Sequence, residues 1–375
     1  MARKSGSFQA DRGAGQPMLR KNGQSNGERP LVIQVAAERR EEGRPRSIQV
    51  YADAIRTRLE AHGVRLIDVP YEETRMLPEA DVVWAPGLGN RRVPRSLFAA
   101  GPRGVATVHG LQMIDSGFVF SEDGIRRDLG HYLWRFRIRE DWRRLGPLIG
   151  SVISVSRILI PRLTGVFRVP QNRITIIPHG VSQDFFRAPG EPGQRQSFVL
   201  HISQYSQTKN LPGILAAYDQ VRHRIGLPLR IVSAGWPGNP ADLPPGVELT
   251  TDLVPHDRVR ELMWEARAFL FPSFEEAFGL PVLEAMASGV PVVTSLGTGA
   301  AEVLGDAGIC IDPTDTAAIA SALLAVSTDT ALHDRLALAG YKRAQGFDWD
   351  EAAKRHLNLF RRLSGHPVDL PSVKE

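Results

Sequence analysis

Short β-branched runs alternate with stretches of helical spacing along almost the whole chain, and no other feature limits the fold so tightly. Residues 31–35, 64–69, 81–85, 104–108, 151–155 and 174–177 read as strands. Residues 48–61 carry apolar side chains at Val50, Ala54, Ile55 and Leu59, which is helical spacing. Alternation of this kind predicts parallel strands joined by helical crossovers. It is interrupted once, where Arg187-Ala188-Pro189-Gly190-Glu191-Pro192-Gly193-Gln194-Arg195-Gln196 has two prolines, two glycines and no apolar pattern. It then restarts, with strands at 198–202, 229–233, 247–250, 268–271, 291–294 and 308–311 and helices at 211–224, 259–266, 279–287 and from Ala317 onward. The expected fold is α/β, two doubly wound Rossmann-like β/α/β domains facing each other across a cleft.

The expected divisions follow. Residues 1–29 mix Gly, Ser, Gln, Asn, Arg and Lys without periodicity and read as a disordered tail. An N-terminal domain at 30–188, a linker at 189–197 and a C-terminal domain at 198–348 come next. A helix at 349–363 is expected to cross back to the N-terminal domain, ahead of a tail at 364–375. A length of 375 residues agrees with two cores rather than one. With 42% apolar and 23% charged residues, disordered and fibrous classes are excluded. No run approaches the ~18 apolar residues of a membrane span, and residues 1–30 lack the apolar segment of a secretory signal, so a cytoplasmic protein is expected. The single cysteine, Cys310, excludes an internal disulfide and a cysteine metal cluster; its apolar surroundings predict a buried strand thiol. Charge is uneven: 30 Lys and Arg against 19 Asp and Glu through Arg187, and an acidic excess thereafter. By itself that leaves nucleic acid, anionic membrane and phosphorylated substrate open.

Chemistry concentrates in Phe271-Pro272-Ser273-Phe274-Glu275-Glu276-Ala277-Phe278-Gly279-Leu280-Pro281-Val282-Leu283-Glu284-Ala285-Met286-Ala287-Ser288-Gly289-Val290-Pro291. A strand ends at Phe271 and a helix begins near Gly279, with Pro281 in the first turn where proline is tolerated. The start of that helix offers backbone N–H groups and the positive end of a dipole, which suit a phosphate or sugar oxygen. Glu276 and Glu284 can both face the strand-end crevice, where carboxylates grip vicinal hydroxyls. A lone pair of glutamates is more often a helix-entry charge and a solvated helix residue, but the Phe-Gly-Leu-Pro and Ser-Gly-Val-Pro punctuation argues for a site.

This segment resembles the Glu-x7-Glu signature of the retaining glycosyltransferase family 4, with Ala277 where glycine is usual. The stretches Glu302-Val303-Leu304-Gly305-Asp306-Ala307-Gly308 and Asp312-Pro313-Thr314-Asp315 resemble its mannosyltransferase-like bacterial members. The likeness is strong over 198–360 and weaker over 30–188. It implies the GT-B fold, a nucleotide-sugar donor held mainly by the C-terminal domain, an acceptor on the N-terminal side, and no metal or other cofactor. By resemblance, Glu276 and the backbone of Phe278, Gly279 and Leu280 hold the donor sugar, Glu284 holds the ribose, and Val254 belongs to the donor site. Lys209 matches the lysine that pairs with the donor diphosphate, and His109, in His109-Gly110 after a strand, the histidine lying over the sugar. Catalytic roles thus fall to Glu276, His109 and Lys209. The family's N-terminal Gly-Gly loop is reduced to Gly43, with Arg44 and Arg46 nearby. Gln204 stands where the family often has arginine, and a neutral amide cannot replace a guanidinium on a pyrophosphate.

Asp348-Trp349-Asp350 has the form of a metal motif, but Asp348 with Glu351 before a helical run reads as a capping box. In residues 130–144, Trp134, Ile138 and Trp142 recur at helical spacing among arginines. A core stripe with solvated arginines is the favoured reading, and a peripheral contact with an anionic membrane or lipid-linked acceptor the other. The implied function is transfer of a hexose, first guess mannose, from GDP-mannose or a UDP-hexose to a saccharide or lipid-linked saccharide in polysaccharide or glycolipid biosynthesis. No nucleic-acid partner is expected. A non-catalytic GT-B scaffold or a sugar-nucleotide epimerase are the alternatives.

Overall fold

A computed structural model of the protein describes residues 29–37, 46–87, 93–111, 125–190 and 198–368. The Gly43 loop with Arg44, linker residues 191–197, and all of the expected tails except residues 29 and 364–368 lie outside the described residues. Leu31–Glu375 forms one compact unit.

The first half contains β1 (Val32–Ala37), α1 (Arg46–Ala61), β2 (Arg65–Pro70), β3 (Val82–Ala85), α2 (Arg95–Ala100), β4 (Gly104–Val108), α3 (Ile125–Leu145), β5 (Ser151–Ser154), α4 (Ile160–Gly165) and β6 (Ile174–Ile176). Its strands form a six-stranded parallel sheet in the order β2-β1-β3-β4-β5-β6. The second half contains β7 (Phe198–Gln204), α5 (Leu211–Ile225), β8 (Leu229–Ala234), β9 (Val247–Thr250), α6 (His256–Glu265), β10 (Ala266–Phe271), α7 (Leu280–Ala287), β11 (Val292–Ser295), α8 (Gly299–Leu304), β12 (Ile309–Ile311), α9 (Thr316–Thr328), α10 (Thr330–Ala344) and α11 (Trp349–Ser364). Its sheet is also parallel, in the order β12-β11-β10-β7-β8-β9.

Burial explains the sequence pattern. β3, β4, β5, β10 and β11 are buried at every position, as central parallel strands covered on both faces must be. The edge strands β2, β6, β9 and β12 are only partly buried. Cys310, on β12, is therefore a strand thiol as expected, but half-buried rather than buried. The helices α2, α4 and α8 were not foreseen; at six residues each they are too short to show a period. In each sheet the strand order reverses at a switch point, between β1 and β3 in the first and between β7 and β10 in the second. Crevices for ligands open at the carboxyl ends of such strand pairs.

Helix α3 starts earlier than its expected range. Ile138 and Trp142 are buried, the latter stacked on Phe167, and Trp134 is half-buried, so the stripe belongs to the core. On the same helix Tyr132, Leu133 and Phe136 are exposed. Among the described residues no helix is long and apolar enough to cross a membrane.

Helix α11 packs on α1 and β3 of the first sheet, burying Trp349, His356, Leu357 and Phe360. Asp348 caps it through the Asp350 N–H, and Asp350 pairs with Arg58 of α1. Glu351 does not complete the expected capping box; it pairs with Arg355 one turn on. Beneath the helix lies a chain of hydrogen bonds whose direction is fixed. His356 Nδ1–H donates to the Ala352 carbonyl (2.7 Å), so Nε2 accepts the Tyr51 hydroxyl proton (2.6 Å). The Tyr51 oxygen then accepts from Thr107 (3.0 Å), whose own oxygen accepts the Trp84 indole N–H (3.1 Å). Burial keeps His356 neutral, its pKa lowered to about 4, and pushes the Tyr51 phenol up.

Candidate active site

The second sheet's switch point gathers the loop after β7 and the loop after β10. After β7 the chain turns through Gln207–Lys209 into Asn210, whose left-handed conformation (φ 55°) starts α5. The Asn210 amide donates to the carbonyls of Pro272 (3.2 Å) and Pro313 (2.8 Å), and Phe274 N–H donates to the Thr208 carbonyl (2.8 Å). These bonds fasten the two loops together and bring Lys209 to Glu276: Nζ donates to Oε2 at 2.5 Å, both side chains being 17% exposed. The Lys209 ammonium also lies 5.1 Å over the Phe271 ring. Lys209 and Glu276, 67 residues apart in sequence, thus meet at the second sheet's switch point.

Gly279 precedes α7 at φ 94°, and an added Cβ there would stand 2.8 Å from Ala300 Cβ, so only glycine fits. No side chain caps α7, and the Leu280 N–H, first in the helix, has no partner within it. Gly299 is held as tightly. Its N–H donates to the Glu276 carbonyl (2.7 Å), and an added Cβ would collide with the Ala277 carbonyl. Ala277 itself, at the position where glycine is usual, is accommodated in a buried setting.

Glu284 lies one turn inside α7, 16% exposed, and its Oε1 is 3.4 Å from His256 Nε2 at the start of α6. Burial raises its carboxyl pKa above the ordinary range, and His256 opposes that shift. Val254, half-buried, packs against the core at the entrance to α6. Gln204 ends β7 as an exposed residue paired in register with Ala234. Of the candidate phosphate cations, Gly43's neighbour Arg44 lies outside the described residues, and Arg46 begins α1.

The first sheet closes directly on this loop. Ser156 Oγ donates to the Ala277 carbonyl, Arg162 pairs with Glu275, and Arg157 N–H donates to Glu302 Oε2 (2.8 Å). His109 is engaged at both ring nitrogens. Nε2 bonds to the Pro86 carbonyl (2.8 Å) and must carry the proton, so Nδ1 accepts from His179 Nε2–H (3.1 Å). Burial lowers the His109 pKa to about 4 and holds His179 well below its usual value. His179 lies stacked between Tyr51 and Phe278, at ring distances of 5.1 and 4.7 Å. The His109 ring thus has no nitrogen spare for a sugar hydroxyl in this arrangement.

Sequence reading did not single out His179, Ser156, Arg162, Tyr51 or His256. One signal was available for the first: His179-Gly180 follows β6 much as His109-Gly110 follows β4.

The architecture defines the class. Sucrose-phosphate synthase from Thermosynechococcus elongatus superposes with a TM-score of 0.64 at 17% identity, over 90% of this chain and 100% of that one, and the two parallel sheets make a GT-B fold. Residues 196–329 match the family model described as "Glycosyl transferases group 1". The chain is 33% identical over 234 residues to O-antigen chain mannosyltransferase B of Escherichia coli, covering 58% of this chain and 61% of that protein. It is 30% identical over 216 residues to a glycogen synthase of Mycobacterium tuberculosis, covering 54% and 52%. The chain therefore spans between half and two thirds of the length of these relatives.

Proposed function

We propose that this chain is a retaining glycosyltransferase that moves a hexose from a nucleoside-diphosphate sugar to a hydroxyl acceptor. The observation that carries the reading is the Lys209–Glu276 pair at the entrance to α7, on the second sheet's switch point. In the free protein each neutralises the other. A donor diphosphate takes over Lys209 and the free N–H at the start of α7, and Glu276 is released to accept bonds from sugar hydroxyls. As the glycosidic bond breaks, negative charge grows on the leaving diphosphate, where Lys209 and the helix dipole stabilise it. Glu284 grips the ribose diol, and Val254 borders the nucleoside. No step calls on a divalent ion. Asp348 and Asp350, the only Asp-x-Asp candidate raised by the sequence, are engaged as a cap and as the partner of Arg58.

Mannose is the first choice of donor sugar, supported by the likeness to the E. coli mannosyltransferase; GDP-mannose is the donor to test first, and a UDP-hexose the second. The acceptor is a saccharide or lipid-linked saccharide on the cytoplasmic side. A peripheral contact with anionic lipid through α3 belongs to the same reading: Tyr132, Leu133 and Phe136 are exposed on the helix that carries exposed Arg137, Arg143 and Arg144. Co-sedimentation with anionic vesicles but not neutral ones checks that contact.

Gln204 favours one rival, a GT-B chain that binds no nucleotide, because the end of β7 carries a neutral amide. Titration calorimetry of the wild type and Lys209→Ala with GDP and UDP decides between them. The transferase reading expects one nucleotide to bind the wild type and to bind the variant at least tenfold more weakly, as loss of a charged hydrogen bond implies. Absence of binding by the wild type overturns it.

A further inference from the structure

Glu284 is an under-satisfied, largely covered carboxylate, 16% exposed. Among the described residues its side chain has one hydrogen-bond partner, His256 Nε2, and that contact is long at 3.4 Å. An ionised carboxylate has two oxygens and about four lone-pair sites, and burying it without filling them is costly. Oε2 and the second lone pair of Oε1 are left for a ligand.

His256 is placed to decide how that carboxylate is presented. It is the first residue of α6, directly after Pro255, so its backbone is fixed by the helix start. Its ring meets Phe185 edge-on at 5.1 Å. Phe185 is buried in the segment that crosses from the first sheet to the second, and its carbonyl accepts from Trp264 Nε1 of α6 and Ser288 Oγ beyond α7 (both 3.2 Å). Farther along the segment, Arg187 N–H donates to the Ala287 carbonyl, and its guanidinium covers the Trp264 ring. The ring of His256 is thus braced by a fixed wall on one side and faces Glu284 on the other.

We propose that His256 is a positioning residue for the donor's nucleoside: it holds Glu284 Oε1 so that the rest of the carboxylate meets both hydroxyls of a ribose. The inference rests on the nucleotide-sugar reading and on Glu284 as the ribose ligand. Donation from one side fixes the carboxylate plane, and a diol needs both oxygens in one orientation. Without His256 the carboxylate turns about its last bond, and bidentate acceptance is lost first.

The test is a cycle between the side chain and the ribose hydroxyls. Dissociation constants for GDP and UDP, and for their 2′,3′-dideoxy forms, are measured with the wild type, His256→Ala and His256→Gln. Loss of one modest hydrogen bond corresponds to about a 3–10-fold weakening. That loss is expected for His256→Ala with the ribonucleotide, under twofold with the dideoxy form, and largely restored by the amide donor of His256→Gln. Equal weakening of both forms, or of neither, overturns the role of His256. If the wild type binds ribo and dideoxy forms equally, the ribose role of Glu284 falls and the inference with it. If it binds no nucleotide, the functional reading itself has failed.

Discussion

At the cleft end of the first sheet stand His109, His179 and Tyr51, with His356 behind them, neutral rings bonded to one another and to backbone carbonyls. At the cleft end of the second sheet stand Lys209 and Glu276, two full charges bonded to each other at the edge of solvent. The two halves share a parallel α/β plan and treat charge in opposite ways. Burial in the first half expels protons, so its wall of the cleft contributes shape and little field. The second half keeps its charges where a diphosphate can exchange with a carboxylate as the partner of an ammonium. On the proposed reading, an anionic donor would meet one wall of neutral, mutually bonded rings and one whose charge pair it would have to part.

The largest test of this contrast is acid. His109 and His356 have pKa values of about 4 in the fold against 6.5 when exposed. The unfolded chain therefore takes up protons near pH 6.5 that the folded rings refuse until about pH 4, and stability falls as pH drops through that window. Each ring accounts for roughly 3 kcal/mol, and coupling with His179 makes the sum less than additive. His201 of β7 and His333 of α10 are lowered in the same way, so the second sheet is not exempt, but three such rings (His109, His179 and His356) pack against the first sheet and two against the second. Hydrogen exchange at pH 5 against pH 7 should show protection falling further in β3, β4 and α11 than in β10 and β11. Equal loss across both sheets would remove the contrast.

Glu276→Ala comes next. Removing a charged partner of the donor sugar should cost about 1.5–3 kcal/mol in the transition state, a 10–150-fold fall in kcat/KM, with the unfolding midpoint nearly unchanged. Near-normal turnover would show that the rearranging wall is not where the sugar sits. Tyr51→Phe should do the reverse. It strips the hydroxyl between Thr107 and His356, leaves the buried Nε2 of His356 without a donor, and should cost about 1–3 kcal/mol of stability in urea unfolding. The activity of the folded fraction should hold. The smallest effect expected is none at all: initial rates in excess chelator should equal those without it, because Lys209 and a helix dipole already supply the positive charge. Silencing by chelator and rescue by Mg²⁺ would break that half of the comparison.

The charged wall was far more legible in the sequence than the neutral one. Glu276, Gly279 and Glu284 sit in one punctuated run, and Lys209 matched a family position, so local pattern and resemblance pointed to them. The wall of rings had no such run: Tyr51, His109, His179 and His356 come from α1 and three distant loops or helices, and only the tertiary fold joins them. Strands were readable because the central ones are short, buried, mostly apolar or β-branched runs, while the six-residue helices were not, having fewer than two turns. His256 escaped because one histidine after a proline has no pattern of its own. Its meaning comes from the unfilled carboxylate it faces.

The Tyr51–His356 bond joins positions 305 residues apart. At a synthesis rate of about 5–20 residues per second, the tyrosine waits on the order of 15–60 s for its histidine to be made. Throughout that interval the surface of β3 and α1 that α11 will cover has Trp84, Tyr51 and Ile55 beneath an absent lid. The half that is born first is therefore the half that finishes last. In a nascent chain that apolar surface of β3 and α1 stays uncovered until residues 349–364 have been made.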